Sequence, residues 1–165
     1  MLAPARLLPL FVFTASVIVV GGALLFQYVG GIEPCELCLY QRWPYYGVIA
    51  ATAVAMIAGN RRATTAVLGL AALAFLVGAA LAFYHVGVER HWFAGPSACT
   101  GAPITGGSVA DLKAQLLARP PVRCDEVAWS LFGVSLAGWN LLASLMLAAT
   151  AWTHMQMLMG RRGTS

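Results

Sequence analysis

The sequence predicts an all-α membrane protein, built as a bundle of four transmembrane helices. The first observation is composition: 60% of the 165 residues are hydrophobic and only 10% are charged, whereas an average soluble domain has about 25% charged residues. The second is that the charges delimit four long runs that are both uncharged and largely apolar. So few charges argue against a soluble enzyme, a disordered tail and a nucleic-acid-binding module.

Each uncharged run predicts one membrane span, because a helix needs about 20 apolar residues to cross a bilayer. The runs cover residues 7–32, 43–60, 63–88 and 127–160. They place the spans at 8–29, 43–60, 64–86 and 134–158, with exported loops at 30–42 and 87–133. The first run is too long for the apolar region of a signal peptide, so we interpret it as an uncleaved helix. Residues 1–165 would then form a single integral membrane domain.

The arginines predict the orientation of this bundle. With four spans, both termini and the loop between the second and third spans share one side. That side carries five arginines in short segments and no acidic residue: Arg6, Arg61, Arg62, Arg161 and Arg162. The other side carries all six acids and five basic residues spread over longer loops. Positive charge in short flanking segments marks the cytoplasmic side, so both termini are expected to be cytoplasmic.

All four cysteines lie in the two exported loops, at Cys35, Cys38, Cys99 and Cys124. Inert cysteines would favour the apolar spans, and an even number on an oxidising face indicates disulfides. Three pairings are possible. The three-residue step between Cys35 and Cys38 favours a local bond, which would leave Cys99 with Cys124.

The C-x-x-C motif at residues 35–38 indicates redox chemistry more than structural support. Its ring is too small to remove much chain entropy, and such motifs are usually redox centres or halves of zinc sites. A zinc site would need a second close cysteine pair or a histidine cluster, which this sequence lacks. We therefore predict no metal.

The spacing of Arg42 strengthens the redox interpretation. Pro34 favours a helix start, and Cys35, Cys38 and Arg42 at i, i+3 and i+7 would share one helix face. Cys38 and Arg42 are one helical turn apart, and a guanidinium at about 5 Å would stabilise a Cys38 thiolate by about 3 kcal/mol at an effective dielectric constant near 20. Glu36 acts in the opposite direction, and Arg42 also fits a simple interfacial anchor.

The second exported loop predicts one short helix. Ser108 and Asp111 have the spacing of a capping box, and Val109, Leu112 and Leu116 follow as an apolar stripe. We expect an amphipathic helix on the membrane surface, with packing against the bundle as the alternative.

Together these residues resemble the DsbB disulfide bond formation proteins, which are quinone-dependent thiol oxidases of the bacterial inner membrane. The resemblance rests on the CELCLYQR segment at 35–42, the long loop with its two cysteines, the CDEVAWSLFG segment at 124–133, and Tyr84-His85 ending the third span. It covers nearly the whole chain.

The resemblance implies an electron relay. Cys99–Cys124 would be the disulfide attacked by a reduced periplasmic thioredoxin-fold dithiol oxidase of the DsbA type, with Cys99 forming the mixed disulfide. The freed Cys124 would attack Cys35. Cys38, released beside Arg42, would pass electrons to a bound quinone, either ubiquinone or menaquinone.

The resemblance also implies the surroundings of the quinone. Arg42 would stabilise a thiolate–quinone charge-transfer state, and His85, Leu136 and Trp139 align with positions near the quinone. Gln41 replaces an acidic residue of the family pattern and Leu136 a methionine, which affects the fine tuning of this pocket. We expect a monomer in the lipid of the inner membrane, with its cysteines facing the periplasm and no nucleic-acid partner.

Two alternatives remain open. One is a non-enzymatic membrane scaffold whose disulfides only fix its loops. The other is a vitamin-K-epoxide-reductase-like enzyme, although its C-x-x-C motif is expected late in the chain and here it is early. A transmembrane thiol carrier would require cysteines within the spans or on the cytoplasmic side, and the sequence has none there.

Overall fold

Helices make up most of the chain. The structure, a computed structural model, describes residues 4–100, 108–117 and 122–160, with the side chains at 4–6 and 116 excepted. The helices are α1 (Pro4–Tyr28), α2 (Glu36–Tyr40), α3 (Trp43–Ala58), α4 (Arg61–Glu89), α5 (Ser97–Thr100), α6 (Val109–Leu117) and α7 (Leu136–Gly160). Two short antiparallel strands, β1 (Ser130–Leu131) and β2 (Val134–Ser135), precede α7. The mostly helical fold is confirmed.

Among the described residues, three helices are long and apolar enough to cross a membrane, judged by length and composition. They comprise Leu7–Tyr28 within α1, Arg61–Glu89 and Leu136–Gly160, with 22, 29 and 25 residues. The predicted spans at 8–29, 64–86 and 134–158 overlap them closely. The remaining predicted span, at 43–60, corresponds to α3, whose 16 residues are fewer than the roughly 20 that a bilayer requires. The count of four spans therefore stays a prediction.

The last uncharged run, 127–160, does not form one continuous helix. β1 and β2 form a hairpin inside it, and Phe132 and Gly133 turn the chain with φ angles of 53° and 76°. Two successive positive φ angles match the twist of a tight hairpin, and glycine adopts such an angle without steric cost. As a result α7 begins at Leu136, slightly after the predicted start of the span.

The long helices pack around an apolar core. α4 lies against α7 and α3, and α1 lies against α3 and α7. Tyr45, Leu68 and Phe75 are almost fully buried at the centre. Buried alanines occur on both α4 and α7, and such small residues let helix backbones approach closely in a membrane. These alanines are Ala71, Ala72, Ala79, Ala82, Ala137, Ala148 and Ala151.

An arginine joins α4 to α7 at the end of the bundle that we predict to be cytoplasmic. The guanidinium of Arg61, at the start of α4, donates to the carbonyl oxygen of Leu158 near the end of α7. The two helix ends therefore lie at the same end of the bundle, as the predicted topology requires. Arg161 and Arg162 lie outside the described residues, as does the side chain of Arg6.

The predicted helix of the second loop is α6. The backbone N–H of Ser108 donates to Asp111 Oδ2 at 3.0 Å, and the backbone N–H of Asp111 donates to Ser108 Oγ at 3.3 Å. Val109 and Leu117 expose 83% and 77% of their surface, and the side chain of Leu116 lies outside the described part. The placement of α6 on a membrane surface stays a prediction.

The substitution Gly87→Ala should destabilise the fold. Gly87 lies in the last turn of α4, and an added Cβ would overlap two ring carbons of Phe93. Overpacking of this kind costs about 1–3 kcal/mol, so the Tm in detergent should fall.

Gly47→Ala in α3 is the matched control for this substitution. An added Cβ there meets nothing within 4 Å, and alanine is favoured over glycine inside a helix by about 0.5–1 kcal/mol. A Tm for Gly87→Ala at or above that of Gly47→Ala would contradict the packing.

Candidate thiol redox site

The C-x-x-C motif forms the first turn of α2. Cys35 is the N-cap residue, and its sulfur accepts a hydrogen bond from the backbone N–H of Cys38 at 3.3 Å. The Cys35 and Cys38 sulfurs are 2.9 Å apart in a hydrogen bond, and both residues are free thiols. The local disulfide favoured by the sequence is therefore not formed in this structure, although its two sulfurs are adjacent.

The second cysteine pair is joined. Cys99 in α5 and Cys124 form a disulfide, with their Cα atoms 5.5 Å apart. The backbone N–H of Cys124 donates to the carbonyl oxygen of Cys99 at 3.2 Å. Both residues are almost completely buried.

The two cysteine pairs meet at Cys35. The sulfurs of Cys35, Cys99 and Cys124 all lie within 4.8 Å of one another. They belong to one buried cluster: Cys35, Leu37, Val88, Cys99 and Cys124, with Cys38, Tyr84 and Val122 packed against it. This arrangement places the Cys35 sulfur next to a disulfide, as thiol–disulfide exchange requires.

These sulfurs also raise the question of a metal. Cys35, Cys38 and His85 offer three donor atoms within 4.8 Å of one another, whereas a closed structural zinc site has four ligands. Cys99 and Cys124 are bonded to each other and so are not thiolate ligands. The sequence-based prediction of no metal remains untested.

Hydrogen bonds determine the tautomer of His85. The amide nitrogen Nε2 of Gln41 lies 3.2 Å from the Leu37 carbonyl oxygen and 2.7 Å from His85 Nδ1. Because a carbonyl oxygen only accepts, the Gln41 NH₂ group must face Leu37, and it therefore also donates to Nδ1. The His85 ring then carries its hydrogen on Nε2, which lies 3.5 Å from the Cys35 sulfur.

The same hydrogen-bonded chain continues into the bundle. Asn140 Nδ2 donates to Gln41 Oε1 at 2.7 Å, and the hydroxyl of Tyr45 donates to Asn140 Oδ1 at 2.8 Å. Tyr45 also lies 2.8 Å from the hydroxyl of Ser144. Sequence analysis missed the contribution of Asn140, Tyr45 and Ser144. Their only signal is polarity within apolar runs.

The hydrogen bond between the two free thiols shifts their pKa values in opposite directions. The hydrogen bond with the Cys38 thiol lowers the pKa of Cys35, with a further contribution from His85, and together these outweigh the opposing effect of burial. The pKa of Cys38 is raised, because it shares its proton with Cys35 and is itself buried. The sequence had suggested thiolate character at Cys38 from a nearby Arg42, and this structure places it on Cys35 instead.

Arg42 is held by α1. Its guanidinium donates to Gln27 Oε1 at 2.6 Å and to the carbonyl oxygen of Ala23 at 3.5 Å. The arginine therefore joins the start of α3 to the last turns of α1. Gln27 is a functional candidate that sequence analysis missed.

A cavity of about 510 Å³ connects the predicted site residues. Its walls include Cys35, Cys38, Arg42, His85, Leu136 and Trp139. The remaining wall is largely apolar and comes from α1, α7 and the segment after Cys124, where Trp129 packs on Phe26 with ring centroids 4.9 Å apart. The structure thus brings the sequence-predicted site residues together, with Cys99 and Cys124 reaching the cavity through Cys35.

Comparison with known proteins identifies the family. Residues 5–154 match the family model described as Disulfide bond formation protein DsbB. The chain belongs to the DsbB family. This confirms the resemblance drawn from the cysteine motif, and membership of the DsbB family implies disulfide-bond formation by thiol oxidation in a membrane protein.

Several DsbB relatives match most of the chain. Disulfide bond formation protein B of Cupriavidus metallidurans is 30% identical over 154 residues, which cover 91% of this chain and 92% of that protein. Disulfide bond formation protein B 2 of Pseudomonas syringae pv. syringae is 32% identical, covering 89% and 86%. An uncharacterized protein of Rickettsia prowazekii is 30% identical, covering 86% and 83%. No solved structure matches the chain.

In this DsbB-family site, one thiolate should form at lower pH than an ordinary cysteine. A lowered pKa keeps the Cys35 thiolate present down to that pKa, whereas a free cysteine, with a pKa of about 8.5, is protonated well above it. His85→Phe removes the Nε2–H donor, so the titration midpoint of Cys35 should move to higher pH. Thiolate ultraviolet absorbance of the protein with Cys99–Cys124 intact measures this.

Tyr84→Phe is the matched control for this titration, because it changes the neighbouring residue and removes only a hydroxyl that donates to the Ala94 carbonyl oxygen. Its titration should follow that of the parent protein. Identical titrations for all three proteins would show that His85 does not stabilise the Cys35 thiolate.

Proposed function

We propose that this DsbB-family chain is a protein-dithiol:quinone oxidoreductase that reoxidises a periplasmic thioredoxin-fold oxidase of the DsbA type. The observation that carries the proposal is the position of Cys35. Its sulfur lies within 4.8 Å of both sulfurs of the loop disulfide and 2.9 Å from Cys38, and Cys35 and Cys38 both line the cavity. Electrons that enter at the loop disulfide thus have a continuous path of sulfur atoms to the cavity.

Thiol–disulfide exchange along this path balances without any other reactant. A partner thiolate attacks Cys99, breaks the Cys99–Cys124 bond and releases Cys124 as a thiolate. Cys124 then attacks Cys35 of an oxidised Cys35–Cys38 pair, and Cys38 leaves as a thiolate. The second partner thiolate displaces Cys99, which attacks Cys124 and frees Cys35. The products are an oxidised partner, a restored loop disulfide and a reduced Cys35–Cys38 pair.

The bonding in the structure is that of these products. Cys99 and Cys124 are joined, and Cys35 and Cys38 are free. The chain's remaining task is then to pass two electrons from the Cys35–Cys38 pair into the cavity and to re-form their disulfide.

The residues of the cavity fit a quinone. A bound quinone would accept two electrons and two protons in becoming a hydroquinone. The largely apolar walls suit its ring and isoprenoid chain, and the guanidinium of Arg42 carries five N–H donors that suit its carbonyl oxygens. Leu136 and Trp139 contribute apolar surface from the start of α7.

The proposal includes a four-span topology in the inner membrane. α2 and α3 are separated only by Gln41 and Arg42, and their backbone N–H groups bond to the carbonyl oxygens of Leu37 and Leu39. The helix that carries Cys38 therefore leads directly into the predicted span at 43–60, so the C-x-x-C motif lies at the end of that span. With this fourth span, the cysteine loops lie on the periplasmic side and both termini in the cytoplasm. We propose that the chain acts as a monomer.

Loss of either cysteine pair should abolish turnover. The assay uses purified protein with quinone and a reduced DsbA-type partner. Cys38→Ser removes the thiol that passes electrons to the cavity, and Cys99→Ser removes the sulfur that the partner attacks. Each variant should lose activity to background, as measured by partner disulfide formation. Ser97→Ala, an exposed residue in the same helix as Cys99, should retain it.

The scaffold alternative predicts the opposite result. Full turnover in both cysteine variants would overturn the oxidase proposal. Thiol trapping in cells gives an independent reading, because purely structural disulfides stay oxidised when quinone is depleted, whereas redox-active pairs become reduced.

The anchoring of Arg42 should control the electronic contact between thiolate and quinone. Purified protein with quinone should show a visible absorption band from a thiolate adjacent to the quinone ring, and Arg42→Gln or Cys38→Ser should remove it. Gln27→Leu should weaken or shift the band, since it removes the 2.6 Å hydrogen bond that holds Arg42. A band unchanged in Arg42→Gln would exclude this role for the arginine.

A further inference from the structure

Glu89 is a buried acid that the sulfur relay does not use. It is the last residue of α4, one helical turn after His85, and its side chain is only 6% exposed. Its Oε1 lies 3.9 Å from His85 Nε2, and its Oε2 accepts a hydrogen bond from the Ser135 hydroxyl at 2.5 Å. Burying a carboxyl group is costly unless it is paired, so this position calls for an explanation.

Structural pairing with a cation does not supply that explanation. Gln41 donates to His85 Nδ1, so the ring carries its hydrogen on Nε2, the nitrogen that faces Glu89. The nearby Arg90 is exposed. Glu89 therefore faces an imidazole N–H and a hydroxyl, which can donate hydrogen bonds to it.

Glu89 also lies between the interior of the site and the outside. It lines the 510 Å³ cavity together with Cys35, Cys38 and His85. It lines a second crevice of about 300 Å³ as well, and among the described residues it is the one that these two spaces share. Most of the crevice wall is exposed: Arg90, Val127, Ser130 and Gly133, with Ser135 at its base.

We propose that Glu89 is the proton carrier of this site, moving protons from the outer crevice to the cavity. This inference rests on the proposed quinone reaction. In that reaction the Cys35 thiolate and the Cys38 thiol give up two electrons and form their disulfide, and Cys38 releases one proton. Reduction of a quinone to a hydroquinone consumes two protons, so Glu89 supplies the second. The carboxylate then regains a proton from the crevice.

The charged and titratable groups that face Glu89 come from two segments. His85 lies on its own helix and Arg90 directly follows that helix, whereas Cys35 and Cys38 lie on the segment before α3. Ser135, from β2, contributes a neutral hydroxyl. A thiolate on Cys35 favours the protonated acid, which suits a group that must hold a proton until the thiolate is oxidised.

The test compares Glu89→Gln with Asp111→Asn at equal protein concentration. Glutamine keeps the size and the acceptor for Ser135 but carries no exchangeable acid proton. Asp111 is an exposed acid in α6 that does not line the cavity, so its variant is the control. Turnover with quinone in Glu89→Gln should fall by about 10²-fold at neutral pH and recover as the pH is lowered, with Asp111→Asn unchanged. Glu89→Asp should restore part of the rate.

A second measurement needs no quinone. The infrared difference spectrum between the oxidised and reduced Cys35–Cys38 pair should contain a carboxyl C=O band that is lost in Glu89→Gln and kept in Asp111→Asn. Single-turnover exchange between the chain and a reduced partner should stay within about twofold in all variants, because it needs no proton from Glu89.

The outcomes separate the two proposals. A Glu89→Gln protein with parental turnover at every pH, or an infrared band that persists in it, would overturn the role of Glu89. If the parent protein failed to reduce quinone, the oxidase proposal would fall, and the infrared band would still decide whether the proton of Glu89 is coupled to the thiols. Loss of partner exchange in Glu89→Gln would show a structural role instead.

Discussion

The site depends on one constraint: the Cys35 sulfur must touch the loop disulfide and the cavity at the same time. Its partners lie 64 and 89 positions further along the chain, so three separate segments must converge. The sulfurs converge inside an apolar cluster with Leu37 and Val88, where a cysteine packs as a small hydrophobic residue. Thus the burial that stabilises this end of the bundle also sets the distances for exchange.

A buried chain of hydrogen bonds stabilises the position of the residues around Cys35. It runs from His85 through Gln41, Asn140 and Tyr45 to Ser144, and each link is 2.7–2.8 Å long. A buried polar group without a partner costs about 1–3 kcal/mol, so α3, α4 and α7 are held in the one rotation that satisfies all of these groups. The same rotation aims His85 Nε2 at Cys35. The packing that satisfies these buried hydrogen-bonding groups is therefore the same packing that orients His85 toward the Cys35 thiol.

Hydropathy and motif spacing predicted the three long helices, the helix at 109–117 and the family, because these depend on local sequence. Hydropathy and motif spacing did not predict the hairpin before α7, because a run of uncharged residues indicates burial and does not distinguish a helix from a hairpin. They also missed the contacts of Arg42 with Gln27 and of Gln41 with His85, which join residues 15 and 44 positions apart. Placing Cys38 and Arg42 on one helix face suggested a direct pairing, but the competing acceptors on α1 can be known only from the packing of α1 against α3.

The hydrogen bond between Cys35 and Cys38 makes the two sulfurs share one proton, and this links electron transfer to proton transfer. Cys35 is the sulfur with thiolate character, and it faces the loop disulfide. Without an electron acceptor, this thiolate would attack Cys99–Cys124, which is the reverse of the proposed relay. Forward transfer through Cys38 requires the shared proton to leave as the electrons do. The direction of the proposed relay therefore depends on an acceptor in the cavity that takes up both, and on an acid, Glu89, placed where the proton must move. A purely apolar cavity of the same shape would hold a quinone but would leave the reverse reaction favoured.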